Sequence, residues 1–281
     1  MGLISFLLNI VYSLLLVPLF LVYWGDEKYG YFLALYAFIQ LMRTLDTGHQ
    51  IYIGNEFNKH YHKDPNKAYE VLSGSMGVAL FLGFLECMAF VVFWYSGLMD
   101  RLIDFNHHEH PELFVGILAM MVMWWAVGSA GGILARIILA KGYYSESVLF
   151  AILIKFVETI MLVLGIFARL TVSTTFILIA VSTIIYSIVV FRWTAQVMPE
   201  YYPWWKGFRL KTGFQNFSKS TILTINGFLD QMNTNGILFL ISKFITASII
   251  PVFTTVRTLT NTMTMLTNLF VQPLVPEMIR F

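Results

Sequence analysis

A chain of 281 residues that is 58% hydrophobic and only 12% charged, with a mean hydropathy of +0.71, reads as a membrane protein, not as the two soluble domains its length would otherwise suggest. Its formal net charge of +2 and scattered basic residues exclude a nucleic-acid partner, and its single cysteine, Cys87, excludes both a disulfide framework and a cysteine metal site. Continuous apolar runs select helices over a barrel, because every backbone polar group in hydrocarbon must be satisfied within its own segment or within a closed sheet.

Eight spans are expected, an all-α polytopic bundle: 3–24, 30–53, 71–98, 113–138, 147–168, 172–191, 220–242 and 248–272. The N-terminus has no basic n-region and no small-residue cleavage site after its apolar run, so it reads as the first span and not as a signal peptide. The second span lies in YGYFLALYAFIQLMRTLDTGHQIYIGNE and carries Arg43 and Asp46 at its centre. At helical spacing Tyr36, Gln40, Arg43, Thr47 and Gln50 form one polar stripe, which must face a bundle interior or water, because a charge at mid-bilayer costs roughly 2.5–3.5 kcal/mol or more.

The third span contains Glu86, read either as a protonated, hydrogen-bonded carboxyl or as a proton-coupling site, and a small-residue repeat of Ser75, Ala79 and Gly83. Gly128 and Gly132 give the fourth span a similar close-packing face. Between these spans His107, His108, Glu109 and His110 form the one metal-like cluster, but adjacent residues do not share a helix face, so an exposed loop is expected and no metal. The fifth span holds Lys155 and Glu158 three residues apart, close enough to pair. No cofactor motif and no nucleophile motif is present in the sequence.

The 192–219 connection, rich in Trp, Tyr, Lys and Arg, has the composition of a segment lying along the headgroup region. It divides the chain into a first lobe, 1–191, and the start of a second, 220–281. Beyond it, Asn226, Asp230 and Asn233 line one face of the seventh span, and Arg257, Asn261, Thr264 and Asn268 one face of the eighth. The even-numbered connections and the C-terminal tail carry ten Lys and Arg residues against four in the odd-numbered ones, which places the even connections and the N-terminus in the cytoplasm.

The run PLFLVYWGDEKYGYFLALYAFIQLMRTLDTGHQIYIGNEF at 18–57 resembles the polysaccharide-flippase branch of the multidrug/oligosaccharidyl-lipid/polysaccharide exporter superfamily, the group that includes O-antigen and lipid II flippases. Two further stretches are similar to the same family: RIILAKGYYSESVLFAILIKFVETIMLVLG at 136–165, and FLDQMNTNGILFLISKFITASIIPVFTTVRTLTN at 228–261, which looks like the opening of the family's second lobe. Gly30-Tyr31-Phe32 then aligns with Pro251-Val252-Phe253. Family members have twelve or more helices in two lobes and usually basic residues ahead of the first helix. This chain resembles six helices plus two, and the expectation is a fragment or a truncated form of such a protein.

The resemblance implies a non-enzymatic transporter of the bacterial or archaeal cytoplasmic membrane. Such a transporter flips a polyprenyl-pyrophosphate-linked oligosaccharide by alternating access during surface polysaccharide or lipopolysaccharide biosynthesis, with a polysaccharide polymerase and glycosyltransferases as partners. Under it Arg43 and Arg257, with Gln40 and Asn261, bind the pyrophosphate in a cavity between lobes, since guanidinium offers a charged fork for phosphate oxygens. The competing expectation is that Arg43 pairs with Asp46 and Arg257 with Asp230. Two alternatives stay open. In a drug or cation antiporter of the superfamily Asp46, Glu86, Glu158 and Asp230 do the work, and in a membrane-embedded polymerase or transferase His107 and His110 do.

Overall fold

The computed structural model describes residues 2–102, 110–206, 208–257 and 260, and these are helices joined by short turns, without strands. Helix α1 (Gly2–Met42) is two helices meeting at Gly25, whose φ of 78° and ψ of 169° reverse the chain. In a straight helix Phe20 and Phe32 would stand roughly 18 Å apart. Their rings are 5.7 Å apart, and Phe20 stacks on Tyr29 at 4.6 Å, so the two arms form a hairpin. A turn follows, then α2 (Thr47–Tyr61), α3 (Pro65–Tyr95), the single turn α4 (Leu98–Leu102) and α5 (Glu112–Met123). A π-helical turn, Trp124–Gly128, joins α5 to α6 (Ser129–Ile137). Next come α7 (Tyr144–Phe167), α8 (Val172–Val197), α9 (Leu210–Gln231), a second π turn at Met232–Gly236 and α10 (Ile237–Ile241).

Local chemistry sets the ends of these helices. Asp64 caps α3 by accepting from the Lys67 amide at 3.0 Å, with Pro65 at the first helical position, where its missing N–H costs nothing. Thr171 caps α8 in the same way, its hydroxyl accepting from the Thr174 amide at 3.2 Å. Gly142, at φ 89°, ends the fourth span in the left-handed conformation that glycine adopts without penalty.

Among the described residues four helices are long and apolar enough to cross a membrane: Pro65–Tyr95, Glu112–Lys141, Tyr144–Phe167 and Val172–Val197. Their exteriors carry Phe81, Phe84, Met88 and Val92 on α3, Leu149, Phe156 and Leu164 on α7, and Val181, Ile185 and Val189 on α8. Only 17% of the most apolar window of α7 is buried, at a mean hydropathy of 2.4. Apolar surface on that scale is unstable in water and matches lipid, so the chain is membrane-embedded.

The connections sort to two ends. At one end Lys141 Nζ donates to the Val197 carbonyl at 2.7 Å and meets Glu200 at 3.3 Å, while the Tyr69 hydroxyl donates to the Pro203 carbonyl. Phe57, Tyr61 and Tyr69 pack around Tyr201 there, and this burial pushes the Tyr201 phenol up to about 12. At the other end Lys28, His110 and Arg169 meet around one pocket. Even-numbered connections thus share one end and odd-numbered ones the opposite end. The middle of the odd half is filled by Phe32, Phe176, Ile117 and Ile166, all at most 1% exposed.

The seventh helix departs from the expected 220–242. Helix α9 begins ten residues sooner, at Leu210, and α8 runs on to Val197, so the connection shrinks to 198–209. Residues 210–219 are polar and look like loop, yet Thr212 donates to Glu70 at 3.2 Å and Asn216 to Ser75 at 3.4 Å. Pairing across helices, not with water, lets a polar stretch enter the bundle. Gly74 and Gly213 bring α3 and α9 together, and Gly48 brings α2 against the backbone of Thr224. Of the expected eighth span, the helical segment Ala247–Arg257 is described. Asn261, Thr264 and Asn268 lie outside the described residues, as do His107, His108 and Glu109.

Candidate functional site

The second helix does not run straight through its charges. At Arg43–Asp46 it tightens: Thr44 donates to Leu41, Leu45 to Met42 and Thr47 to Thr44, each three residues back at 3.1–3.2 Å, in place of the α-helical four. Threonine hydroxyls stabilise the break, Thr44 Oγ1 donating to the Gln40 carbonyl at 2.9 Å and Thr47 Oγ1 to that of Arg43 at 3.3 Å. The single polar stripe expected from helical spacing is therefore split. Tyr36, Gln40 and Arg43 line a cavity, whereas Gln50 turns against Gly132, where a Cβ would overlap its side-chain amide.

That cavity, about 610 Å³, lies between the second helix, the α5–α6 unit, α7 and α8. Arg43, Arg136 and Lys155 supply positive charge, Glu158 is its one acidic wall residue, and Tyr36, Trp124, Tyr144, Phe150, Tyr186 and Phe191 supply aromatic surface. Three of the lining units contribute mostly from the half nearer the even-numbered connections, the α5–α6 unit from Met123 to Leu139, α7 from Tyr144 to Glu158 and α8 from Thr183 to Phe191, and the second helix reaches the cavity from Tyr36 to Arg43. The cavity thus faces the even end, with Arg136, Leu139 and Tyr144 nearest its mouth and Arg43, Lys155 and Glu158 deeper.

Arg43 carries the geometry. Its guanidinium carbon lies 4.1 Å from the centroid of the Trp124 ring, a cation–π contact worth roughly 0.5–2 kcal/mol. Among the described residues Nε and one terminal nitrogen have no hydrogen-bond partner and no carboxylate lies within 4.0 Å of the guanidinium. Neither the Arg43–Asp46 pair nor the Lys155–Glu158 pair closes at that distance, so the cations line the cavity unneutralised by direct contact. Trp124 opens the π turn, and a Cβ at Gly128 would overlap its ring. Gly128 therefore does more than bring helices close: it leaves the space in which the indole lies against the helix and presents its face to Arg43.

Behind Arg43 sit two buried carboxylates. Asp46 is fully buried and Glu86 is 3% exposed, and among the described residues neither has a partner within hydrogen-bonding geometry on either oxygen. Glu86, alone on its span in the sequence, is within electrostatic reach of Asp46, Arg43 and Trp124. A buried acceptor left unmet costs about 1–3 kcal/mol. Glu86→Leu is accordingly expected to raise the thermal stability of the detergent-solubilised chain by about that amount, with Glu86→Gln between the two. A fall in melting temperature for Glu86→Leu would show that the carboxyl makes stabilising bonds in the folded chain.

Arg257 is elsewhere. It does not line this cavity and donates to the Asn233 carbonyl at 2.9 Å, beside the second π turn. Arg43 and Arg257 are thus not brought into one cavity among the described residues, and Asp230 is exposed near the end of α9. His110 lines the opposite pocket and lies 3.5 Å from Glu112. Sequence reasoning did not single out Arg136, Trp124 or His49 as site residues. Trp124 lay in a span almost free of charge, where the signal was its i,i+4 relation to Gly128. His49, 0% exposed and 3.3 Å from Ser220 across α2 and α9, gave no periodic signal at all.

The fold and the site together define a polytopic helical membrane protein with a charged, aromatic-walled cavity inside its bundle. Comparison of the chain with protein-family models, with curated proteins and with solved structures returns no match.

Proposed function

We propose that the chain is a flippase, or part of one, that moves a polyprenyl-pyrophosphate-linked oligosaccharide across the cytoplasmic membrane by alternating access. One observation carries the reading: a cavity at membrane depth with three cations, Arg43, Arg136 and Lys155, against one acidic wall residue, Glu158. Burying such an excess is costly unless an anion enters, and pyrophosphate presents the oxygens that guanidinium and ammonium groups bind. Tyr36, Trp124, Tyr144 and Tyr186 add flat surfaces of the kind on which sugar rings pack. The chain is taken to cross the membrane eight times with its N-terminus in the cytoplasm, so the cavity opens inward, toward the side where a lipid-linked sugar would be loaded. Transport requires the aromatic plug around Phe32 and Phe176 to part while the inner mouth closes, the usual consequence of lobe rocking about a central site. No bond is made or broken.

A second reading, an ion-coupled cation antiporter, draws support from Asp46 and Glu86, buried without hydrogen bonds behind Arg43. One assay separates the two. With the 281-residue chain in proteoliposomes, a fluorescent polyprenyl-pyrophosphate oligosaccharide becomes accessible to a membrane-impermeant quencher under the flippase reading. Uptake of an organic cation against a sodium or proton gradient, without movement of the lipid-linked sugar, would replace it with the antiporter.

A further inference from the structure

The pocket at the odd-numbered end is separate from the cavity, divided from it by the Phe32–Phe176 plug, and no role described above uses it. Three connections build it. Tyr23, Trp24 and Lys28 come from the Gly25 reversal, His110 and Glu112 from the start of the fourth span, and Arg169 from the α7–α8 turn, enclosing about 570 Å³. Neither Lys28 nor Arg169 is ion-paired among the described residues, while Glu112, the acidic residue of the wall, is engaged with His110 at 3.5 Å. Asp26 and Glu27 adjoin Lys28 in sequence but do not line the pocket.

Two further observations mark a site and not a gap. Arg169 stands at φ 54°, in the left-handed position that closes α7, with the Arg169 amide donating to Ile166 and the Leu170 amide to Gly165. Glycine fills that position at no steric cost, whereas a long side chain there is strained, so the cation is kept against backbone preference. The Trp24 indole N–H is also buried and has no hydrogen-bond acceptor among the described residues. Beside the pocket Val22 is 79% exposed and Phe167 57%, and Phe167 packs edge-on against Tyr23 at 5.8 Å. A cationic pocket with an open donor thus borders apolar surface of the kind that faces lipid.

We infer that this pocket binds the phosphate of a lipid headgroup, Lys28 and Arg169 holding the phosphate oxygens while the lipid's chains run along Val22, Tyr23 and Phe167. The site stands apart from the transport reading and survives its failure. It is tested by native mass spectrometry of the whole chain in detergent, with phosphatidylglycerol, a polyprenyl phosphate and a diacylglycerol of matched chains as probes. Retention of both phosphate lipids over diacylglycerol is expected, that of phosphatidylglycerol falling at least tenfold in Lys28→Gln and Arg169→Gln and unchanged in Lys63→Gln, an exposed lysine that lines neither pocket. Preference for polyprenyl phosphate makes the pocket a subsite for the carrier lipid, and equal retention makes it a site for bilayer phospholipid. Arg169→Gly is the decisive variant: it removes the cation and relieves the backbone, so retention falls while the melting temperature rises. Retention of diacylglycerol equal to that of the phosphate lipids, or undiminished retention in Arg169→Gly, overturns the inference.

Discussion

Arg43→Ala is expected to abolish movement of a lipid-linked oligosaccharide, and Arg43→Lys to fall most of the way with it. The guanidinium touches no carboxylate among the described residues and lies 4.1 Å from the Trp124 ring, so one of its faces is held and two of its nitrogens lack a partner. Lysine restores the charge but not the planar fork or the stacking on indole, which makes the exchange non-conservative at this position. Charged hydrogen bonds contribute about 1.5–3 kcal/mol each, on the order of ten- to a hundredfold in rate for each one lost. Since Arg43 sits in no ion pair, its removal leaves no carboxylate stripped of a direct partner, and the melting temperature should change little. Rates in proteoliposomes and complementation of a flippase-deficient strain both read the outcome. Full activity in the Ala and Lys variants sinks the pyrophosphate reading, and activity lost together with the fold removes it as evidence.

The sequence made the charge at the centre of the second helix legible, and with it the demand for an interior environment. The break was less visible. No Pro or Gly stands between Arg43 and Asp46, and the only hint was Thr44, Asp46 and Thr47, side chains that compete with the helix for backbone partners. A straight helix would have aligned Gln40, Arg43 and Gln50, while the tightened turn sends Gln50 to Gly132 and buries Asp46. Glu86 shows a different limit, because periodicity within one span cannot report that α3 delivers its carboxyl to the Arg43 side of α2. The small-residue reading held in part. Ser75 and Ala79 are fully buried, and Gly83 would place a Cβ 3.1 Å from the Trp125 backbone, as close packing requires. Gly128 instead makes room for an indole, a use that composition does not distinguish from helix contact. Helix α9 was read short because hydropathy counts Thr212, Asn216 and Ser220 as water-loving, whereas their partners are Glu70, Ser75 and His49 on neighbouring helices.

Gly48→Ala is expected to be strongly destabilising for a change of a single methyl group. A Cβ there would fall on the backbone nitrogen and Cα of Thr224, and main-chain atoms of a packed helix cannot rotate aside as a side chain can. Overpacking of this kind costs about 1–3 kcal/mol, a fall of several degrees in melting temperature. Gly227→Ala on α9 supplies the control, because its Cβ would meet only Thr44 Cγ2 at 3.9 Å, and replacing a helical glycine gains up to about 1 kcal/mol. Thermal unfolding in detergent, with limited proteolysis of the 198–209 connection, separates the two: Gly48→Ala should destabilise and expose the connection, and Gly227→Ala should do neither. The contact also bears on transport. Gly48 receives α9, and Gly30 receives the backbone of Ala247, so the chain beyond residue 209 rests on the same hairpin arm and helix that deliver Arg43 to the cavity. If the lobes rock, this glycine-lined contact is where they slide, and Gly48→Ala should slow transport beyond what its loss of stability explains. Equal effects of Gly48→Ala and Gly227→Ala on both melting temperature and rate would show that the two helices do not meet backbone to backbone.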